Sequence, residues 1–169
     1  MLPARQTTPP ADHTFLRGIP MASSIRTHDQ PGATGLSRAR RYAFTGYRWL
    51  LLVFLLAGCA QIFLAGLGVF SFGDHDAAGG ASAFDAHRAL GFSMGGAAVI
   101  ILVLALIARP GVLPVAASGV LVVQTTLLQS LLAGLADNAA LYGGLHALDG
   151  LHVLGIAGYL YVHARRHEA

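Results

Sequence analysis

The sequence predicts an all-α, four-helix transmembrane bundle made of two tandem helical hairpins, preceded by a disordered N-terminal tail. Three observations lead to this prediction. The 169 residues are 54% hydrophobic and only 11% charged, whereas a soluble domain usually carries about 25% charged residues. The apolar residues form four long runs without strand-like alternation. The second and fourth runs also begin with similar histidine motifs, so the chain looks built twice from one plan.

The first 36 residues differ in composition from the rest of the chain. They are rich in Pro, Thr, Ser, Gly and Arg, and such a composition is typical of a disordered tail, here a cytoplasmic one. Met21 offers a second start for translation. Because the tail is polar and the first apolar run is long, we expect an uncleaved anchor rather than a signal peptide. Residues 37–169 then form the transmembrane domain.

The four apolar runs are long enough to cross a membrane as helices. A helix needs about 20 apolar residues to span the hydrocarbon core. Backbone groups in lipid must bond within their own segment, which favours helices. We expect the helices at about 47–72, 87–108, 112–135 and 141–164. Arg109-Pro110-Gly111 and Ala136-Asp137-Asn138 predict the turns before the third and fourth helices.

The arginines indicate the orientation of the chain. All 11 basic residues are Arg, the net charge is +3, and no soluble basic face is formed, so nucleic acid is not an expected partner. Arginines precede helix 1, follow helix 4 and include Arg109, whereas the other two connections are mainly acidic. The positive-inside rule therefore predicts a multi-pass protein of the bacterial inner membrane with both termini cytoplasmic. Its expected partner is the lipid bilayer, with a membrane redox partner or a second copy left open.

Some polar features have simple structural interpretations. The arginines from Arg38 to Arg48 can bind anionic headgroups, but we favour a role in orientation alone. Asp74-His75-Asp76 is expected to be an exposed turn, because three adjacent side chains cannot all face one ion. Cys59 is the only cysteine, which excludes an internal disulfide, and we expect it to be a small packing residue.

Two histidines occupy matching positions in the two halves. The motifs are His87-Arg88-Ala89-Leu90-Gly91 and His146-Ala147-Leu148-Asp149-Gly150, and each follows Gln-x-x-Leu-Ala-Gly-Leu, at 61–67 and 129–135. This pattern indicates a tandem duplication of one hairpin, with an axis along the membrane normal. Each histidine lies about 20 residues before an arginine-bearing helix end, so both imidazoles should share one depth and face each other.

Two neutral imidazoles at equal depth suit the axial positions of a b-type haem, so His87 and His146 are the candidate iron ligands. Gly91 and Gly150, on the same helical faces, are expected to clear space for the macrocycle. Ordinary small-residue packing between membrane helices is the alternative. Arg88 can pair with a haem propionate or anchor its helix at the headgroups. Further room is expected from four other glycines: Gly95, Gly96, Gly143 and Gly144.

The remaining polar residues within the helices are expected to point inward. Gln61 and Gln129 should act first as interhelical hydrogen-bonding groups and second as contacts to the edge of a ligand. Asp149 can orient an imidazole or meet water at the interface. His152 lies about 120° around the helix from His146, which favours a structural hydrogen bond, for example to Gln61. His163 and His167 are expected to be solvated.

The motifs resemble two families. Residues 61–70, 87–91 and 145–150 resemble a bacterial family of small four-helix membrane proteins known as a domain of unknown function, over about 41–166. A more distant similarity is to one half of haem A synthase: His87-Arg88 resembles the His-Arg pair of its second helix, 129–134 its third helix, and His146 falls at the ligand position of its fourth. This resemblance implies a haem between those helices. The chain matches one half only and has no counterpart of that family's acidic catalytic residue in helix 1, so oxygenase chemistry is not implied.

The sequence leaves two functions open. In the first, the chain binds b-type haem between His87 and His146 and passes electrons near the outer face or holds haem. In the second, it is a cofactor-free structural or accessory membrane protein whose histidines and glutamines cross-link helices. The sequence contains no serine triad, phosphate loop or zinc motif, so an enzyme is not expected.

Overall fold

The computed structural model describes the backbone of residues 31–72 and 82–166, and the side chains of 37–71 and 82–166. Within these residues the chain forms four helices and no strands. All four are long and apolar enough to cross a membrane, as in a multi-pass membrane protein. The predicted all-α, four-helix fold is therefore confirmed. The helices are α1 (Pro31–Phe72), α2 (Asp85–Ala108), α3 (Val112–Leu135) and α4 (Ala140–Arg166).

The start of α1 is the main difference from the predicted helix boundaries. The helix begins at Pro31 rather than near residue 47. A helix of 42 residues is about 60 Å long, twice the thickness of the hydrocarbon core, so α1 extends well beyond the membrane. Residues 31–36 of the expected tail belong to this helix. The rest of the expected tail, the Asp74-His75-Asp76 sequence and His167 lie outside the described residues.

The helices form an up-and-down bundle. α1 packs against α2 and α4, and α3 packs against the same two helices, so α2 and α4 lie on a diagonal. Both α2 and α4 begin at the same end of the bundle, which we call the Asp137 end after the connection between α3 and α4. The opposite end carries the turn between α2 and α3, and we call it the Arg109 end. Two successive hairpins of equal orientation, α1–α2 and α3–α4, follow from this arrangement.

The turn at the Arg109 end is short and tightly bonded. Arg109 has left-handed backbone angles (φ 54°, ψ 58°), and its N–H donates to the carbonyl of Ala105 to close α2. Gly111 follows with φ 127°, a conformation that favours glycine. Pro114 lies in the first turn of α3, where a missing N–H costs nothing. The predicted turn is thus present between the two hairpins.

The apolar core occupies the half of the bundle near the Arg109 end. Large side chains that are fully buried there are Tyr47, Leu51, Phe54, Ile101, Leu121 and Leu160. The outside of the bundle is also apolar: Leu56, Phe63 and Leu127 are each more than 60% exposed. Lipid chains cover such a surface in a membrane, so apolar residues are stable on both the inside and the outside.

Two glycines of α1 permit close approach of neighbouring segments. An added Cβ at Gly58 would lie 2.1 Å from a methyl group of Leu154 in α4. At Gly68 it would lie 2.6 to 2.8 Å from three ring carbons of Phe84, just before α2. The methyl of Leu154 can rotate away, but the Phe84 ring can only move as a unit. Gly68 is therefore the more demanding position.

We expect Gly68→Ala to destabilise the bundle by about 1–3 kcal/mol, the usual cost of inserting a methyl group into a packed contact. Gly66→Ala is the matched control, because no atom lies within 4 Å of its added Cβ. The measurement is the unfolding temperature of both variants in one detergent. Equal unfolding temperatures would contradict the packing of Phe84 against Gly68.

Candidate functional site

The first hairpin contains a reciprocal pair of hydrogen bonds between Gln61 and His87. The Gln61 side-chain amide Nε2 donates to the His87 carbonyl at 2.9 Å. The His87 ring Nδ1 lies 3.2 Å from the Gln61 carbonyl. A carbonyl oxygen can only accept, so this bond requires the proton on Nδ1. The Nε2 of His87 then carries the lone pair.

The second hairpin repeats this pair with Gln129 and His146. Gln129 Nε2 donates to the His146 carbonyl at 3.1 Å, and His146 Nδ1 lies 3.1 Å from the Gln129 carbonyl. The two glutamines therefore point inward and bond between helices, as predicted. What the sequence did not predict is their partner: each bonds the backbone of a histidine, and the histidine bonds back.

The two imidazole rings meet across the diagonal of the bundle. The ring centroids of His87 and His146 are 6.1 Å apart, with an angle of 63° between the ring planes. Both side chains are half-buried. The ring of Phe84 also contacts the His87 ring in an edge-to-face arrangement, at a centroid distance of 6.3 Å. No hydrogen bond from another described residue reaches the Nε2 of either histidine.

The glycines that follow the histidines lie beneath the glutamine amides. An added Cβ would be 3.1 Å from Gln61 Nε2 at Gly91 and 3.6 Å from Gln129 Nε2 at Gly150. The sequence predicted that these glycines clear space for a macrocycle, but the structure gives them a different neighbour. A bare Cα at Gly91 therefore leaves room for the Gln61 amide to reach the His87 carbonyl one turn earlier, whereas the distance at Gly150 is an ordinary contact. Of the other four, Gly95 faces Thr126, Gly143 faces Ala136, and Gly96 and Gly144 face open space.

Asp149 is the centre of a further polar network in the second hairpin. Its carboxyl is buried, with 9% exposure. One oxygen accepts from Gln124 Nε2 and the other from Gln129 Nε2, each at 2.9 Å. Gln124 Nε2 also bonds His152 Nδ1 at 2.8 Å. Asp149 therefore bonds two amides rather than an imidazole, and His152 bonds Gln124 rather than Gln61.

A π-helical turn at Gln124–Leu128 allows both glutamines to reach the same carboxyl. In an α-helix, residues five positions apart point about 140° away from each other. In a π turn they align, and here the Gln129 N–H donates to the Gln124 carbonyl. Thr125 and Thr126 hydroxyls bond the carbonyls of Leu121 and Val122 at 2.8 and 2.7 Å. These bonds satisfy backbone groups that the wider turn displaces.

The first hairpin lacks this network. Leu90 stands at the position that corresponds to Asp149, and Leu56 precedes Gln61 by the same five residues that separate Gln124 from Gln129. Because α1 is an uninterrupted α-helix, Leu56 is 63% exposed, whereas Gln124 is only 7% exposed. The two hairpins thus share the glutamine–histidine pair and the glycine beside each amide, and they differ in the Gln124–Asp149–His152 network.

Other candidate residues lie away from the ring contact. Arg88 forms an ion pair with Asp85 on the exposed first turn of α2. Cys59 is exposed on α1 rather than packed inside, which corrects the sequence-based expectation. His163 is half-buried rather than solvated, with its ring 5.9 Å from that of Tyr159. No group of three His, Cys, Asp or Glu side chains within the described ranges could hold a metal ion by itself.

The corresponding glutamines should differ in their effect on stability. We expect Gln61→Leu to cost at most about 1 kcal/mol, because one hydrogen bond is lost and a buried, unpartnered Oε1 is removed with it. Gln129→Leu should cost about 1–3 kcal/mol more, because it also leaves one oxygen of Asp149 without a donor. Unfolding of both variants in detergent measures the difference.

Adding Asp149→Leu to each glutamine variant tests the cause. The second substitution should recover stability in the Gln129→Leu background, where the carboxyl lacks a donor, and should not do so beside Gln61→Leu. Equal costs for the two single variants would contradict the hydrogen bond between Gln129 and Asp149.

Comparison of the chain with protein-family models, with curated proteins and with solved structures found no match. The two glutamine–histidine pairs and the network around Asp149 are the features of the described residues that bear on function.

Proposed function

We propose that this chain is an inner-membrane protein of bacteria that holds a b-type haem between His87 and His146, for electron transfer near the outer face or for haem holding. One observation carries the proposal. Each imidazole bonds a carbonyl of the neighbouring helix through Nδ1, and the two rings meet with both Nε2 atoms unbonded among the described residues. A metal-bound histidine usually donates its other N–H in this way, which fixes its tautomer and its orientation.

The spacing of the rings supports the same proposal. If both histidines held one iron through bonds of about 2 Å, their ring centres would have to lie close together, about 6 Å apart. The centroids of His87 and His146 are 6.1 Å apart. When bound, a haem with two histidine ligands supplies one-electron transfer and leaves no coordination position for a substrate.

At such a site the residues of this chain would hold the two histidine rings in position. Gln61 and Gln129 hold the backbone on which each histidine stands, and the Nδ1 bonds stop the rings from turning. Phe84 closes one side of the His87 ring. Arg88 is paired with Asp85 at the exposed start of α2, next to His87 in the sequence, and would be the candidate partner of a haem propionate.

The proposed orientation and origin of the bundle rest on sequence patterns. The arginines at the Arg109 end support cytoplasmic termini, which puts the histidines in the outer leaflet. The identical glutamine–histidine pairs support a tandem duplication of one hairpin. The resemblance to one half of haem A synthase favours the same ligands. A membrane redox partner or a second copy of the chain is the corresponding proposed partner, besides the bilayer.

A cofactor-free accessory protein is the second candidate, and a specific observation favours it. The glutamine–histidine bonds already cross-link α1 to α2 and α3 to α4 without any ligand. The amides also cover Gly91 and Gly150, the positions at which space for a macrocycle was expected. In this function the histidines serve only to fix the register of each hairpin.

Optical spectra distinguish the two candidates. The protein is expressed with haem available and purified in detergent, and reduced-minus-oxidised spectra are recorded. We expect sharp α and Soret bands that are lost in His87→Ala and in His146→Ala, because each substitution removes an axial ligand. His152→Ala is the control and should keep the bands, since its ring bonds Gln124 instead.

The other outcomes are equally informative. A colourless wild type with normal thermal unfolding favours the accessory function. Haem bands that survive both His87→Ala and His146→Ala would contradict the assignment of the ligands.

The orientation has its own test in a Cys59→Ala background. Asp137→Cys and Val112→Cys place single exposed thiols at opposite ends of the bundle. With cytoplasmic termini, a membrane-impermeant maleimide added to cells with a permeabilised outer membrane should label Asp137→Cys only. Val112→Cys should react after the inner membrane is broken. The reverse pattern would show that the termini face outward.

A further inference from the structure

A cavity at the Arg109 end lies between α1 and α4. Its volume is about 210 Å³, and its lining combines two guanidinium groups, two aromatic rings and one aliphatic side chain. A water molecule occupies about 30 Å³ of the liquid, so the cavity has room for a larger polar group. The lining residues are Arg48, Trp49, Leu52, Tyr161 and Arg165.

The cationic and aromatic side chains of this cavity stand at the edge of the apolar segments. The guanidinium carbon of Arg48 lies 5.5 Å from the centre of the Trp49 ring, a cation–π contact that orients the arginine. Trp49 is 56% exposed, and Trp and Tyr prefer the headgroup level of a bilayer. Arg165 makes no hydrogen bond or ion pair with another residue in the described part of the chain. The cavity therefore combines positive charge with a position at the membrane interface.

We propose that this cavity binds the phosphate group of an anionic phospholipid, with Arg48 and Arg165 as its cationic contacts. A guanidinium offers two parallel N–H donors that match the oxygens of a phosphate. Basic pockets between membrane helices bind lipid headgroups in this way. Leu52 lies one turn deeper on α1 and supplies apolar contact for the start of an acyl chain. This last feature favours a lipid over a free phosphate ion.

The neighbouring arginine provides a matched control. Arg165 lines the cavity, whereas Arg166 does not, and both are exposed at the end of α4. If arginines at this end only orient the protein, the two should be interchangeable. If the cavity is a binding site, only Arg165 should matter for lipid binding.

The experiment measures binding of phosphatidylglycerol to the purified, delipidated full chain in detergent, through the rise in unfolding temperature on titration. We expect saturable stabilisation of the wild type, and about tenfold weaker apparent affinity for Arg165→Gln, the effect of losing one charged hydrogen-bond donor. Arg165→Lys should be intermediate, because it keeps the charge and loses the paired donors. Arg166→Gln should bind as the wild type does.

Two further ligands define what would overturn the proposal. Phosphatidylcholine should stabilise far less than phosphatidylglycerol, and inorganic phosphate alone should not stabilise. If Arg165→Gln and Arg166→Gln lost the same apparent affinity for phosphatidylglycerol, general surface charge would explain the binding. That result would overturn the proposed site. Stabilisation by inorganic phosphate as strong as by the lipid would overturn the lipid as its ligand.

Discussion

A polar group inside the hydrocarbon layer must find its partner within the protein, because no water is there to replace one. In this bundle the reciprocal bonds between Gln61 and His87, and between Gln129 and His146, meet that requirement for the glutamine Nε2 and the histidine Nδ1 atoms. Each bond joins a side chain on one helix to the backbone of the other. The bonds therefore restrict rotation and sliding of the two helices of each hairpin relative to each other. The positions of the two imidazole rings depend on this restriction.

Different interactions hold the helices together in the two halves of the bundle. Near the Arg109 end, interlocking apolar side chains from all four helices form the core. In the half near the Asp137 end, hydrogen bonds of glutamine, histidine and aspartate residues join the helices. Because lipid chains are as apolar as leucine, the apolar core gains little from the hydrophobic effect in the membrane and depends on close packing instead. The polar half supplies directional contacts that apolar packing lacks.

The four-helix fold and the contact between the two histidine rings could be predicted from the sequence. Both follow from the lengths of the apolar segments and the positions of the motifs within them. Segment length predicts a membrane helix, and equal motifs at equal depth predict that two rings face each other. The polar residues indicate an inward face, but which of the other residues point inward could not be predicted from the sequence. Cys59 was expected to pack inside and is exposed, because a helix in lipid is apolar on every side and carries no amphipathic signal. The early start of α1 at Pro31 was missed because that segment is not apolar.

Gln124 was missed for a different reason. By α-helical periodicity it points away from Gln129, and only the π turn brings the two together. The apolar pattern does not indicate that turn, because this helix carries apolar residues on both its exposed and its buried sides. The two hydroxyl residues inside it, Thr125 and Thr126, are the one local sign, because such side chains can satisfy displaced carbonyls.

The network around Asp149 makes the two halves of an otherwise matched pair unequal. His146 is held by a glutamine that also bonds a buried carboxyl, while His87 is held by a glutamine with a leucine, Leu90, in the corresponding place. The environment is therefore polar on one side of the bundle axis and aliphatic on the other. Any species located midway between the rings would meet different surroundings on its two sides. The matching glutamine–histidine bonds make the two imidazoles a pair, and Asp149 is joined through Gln129 to only one member of it.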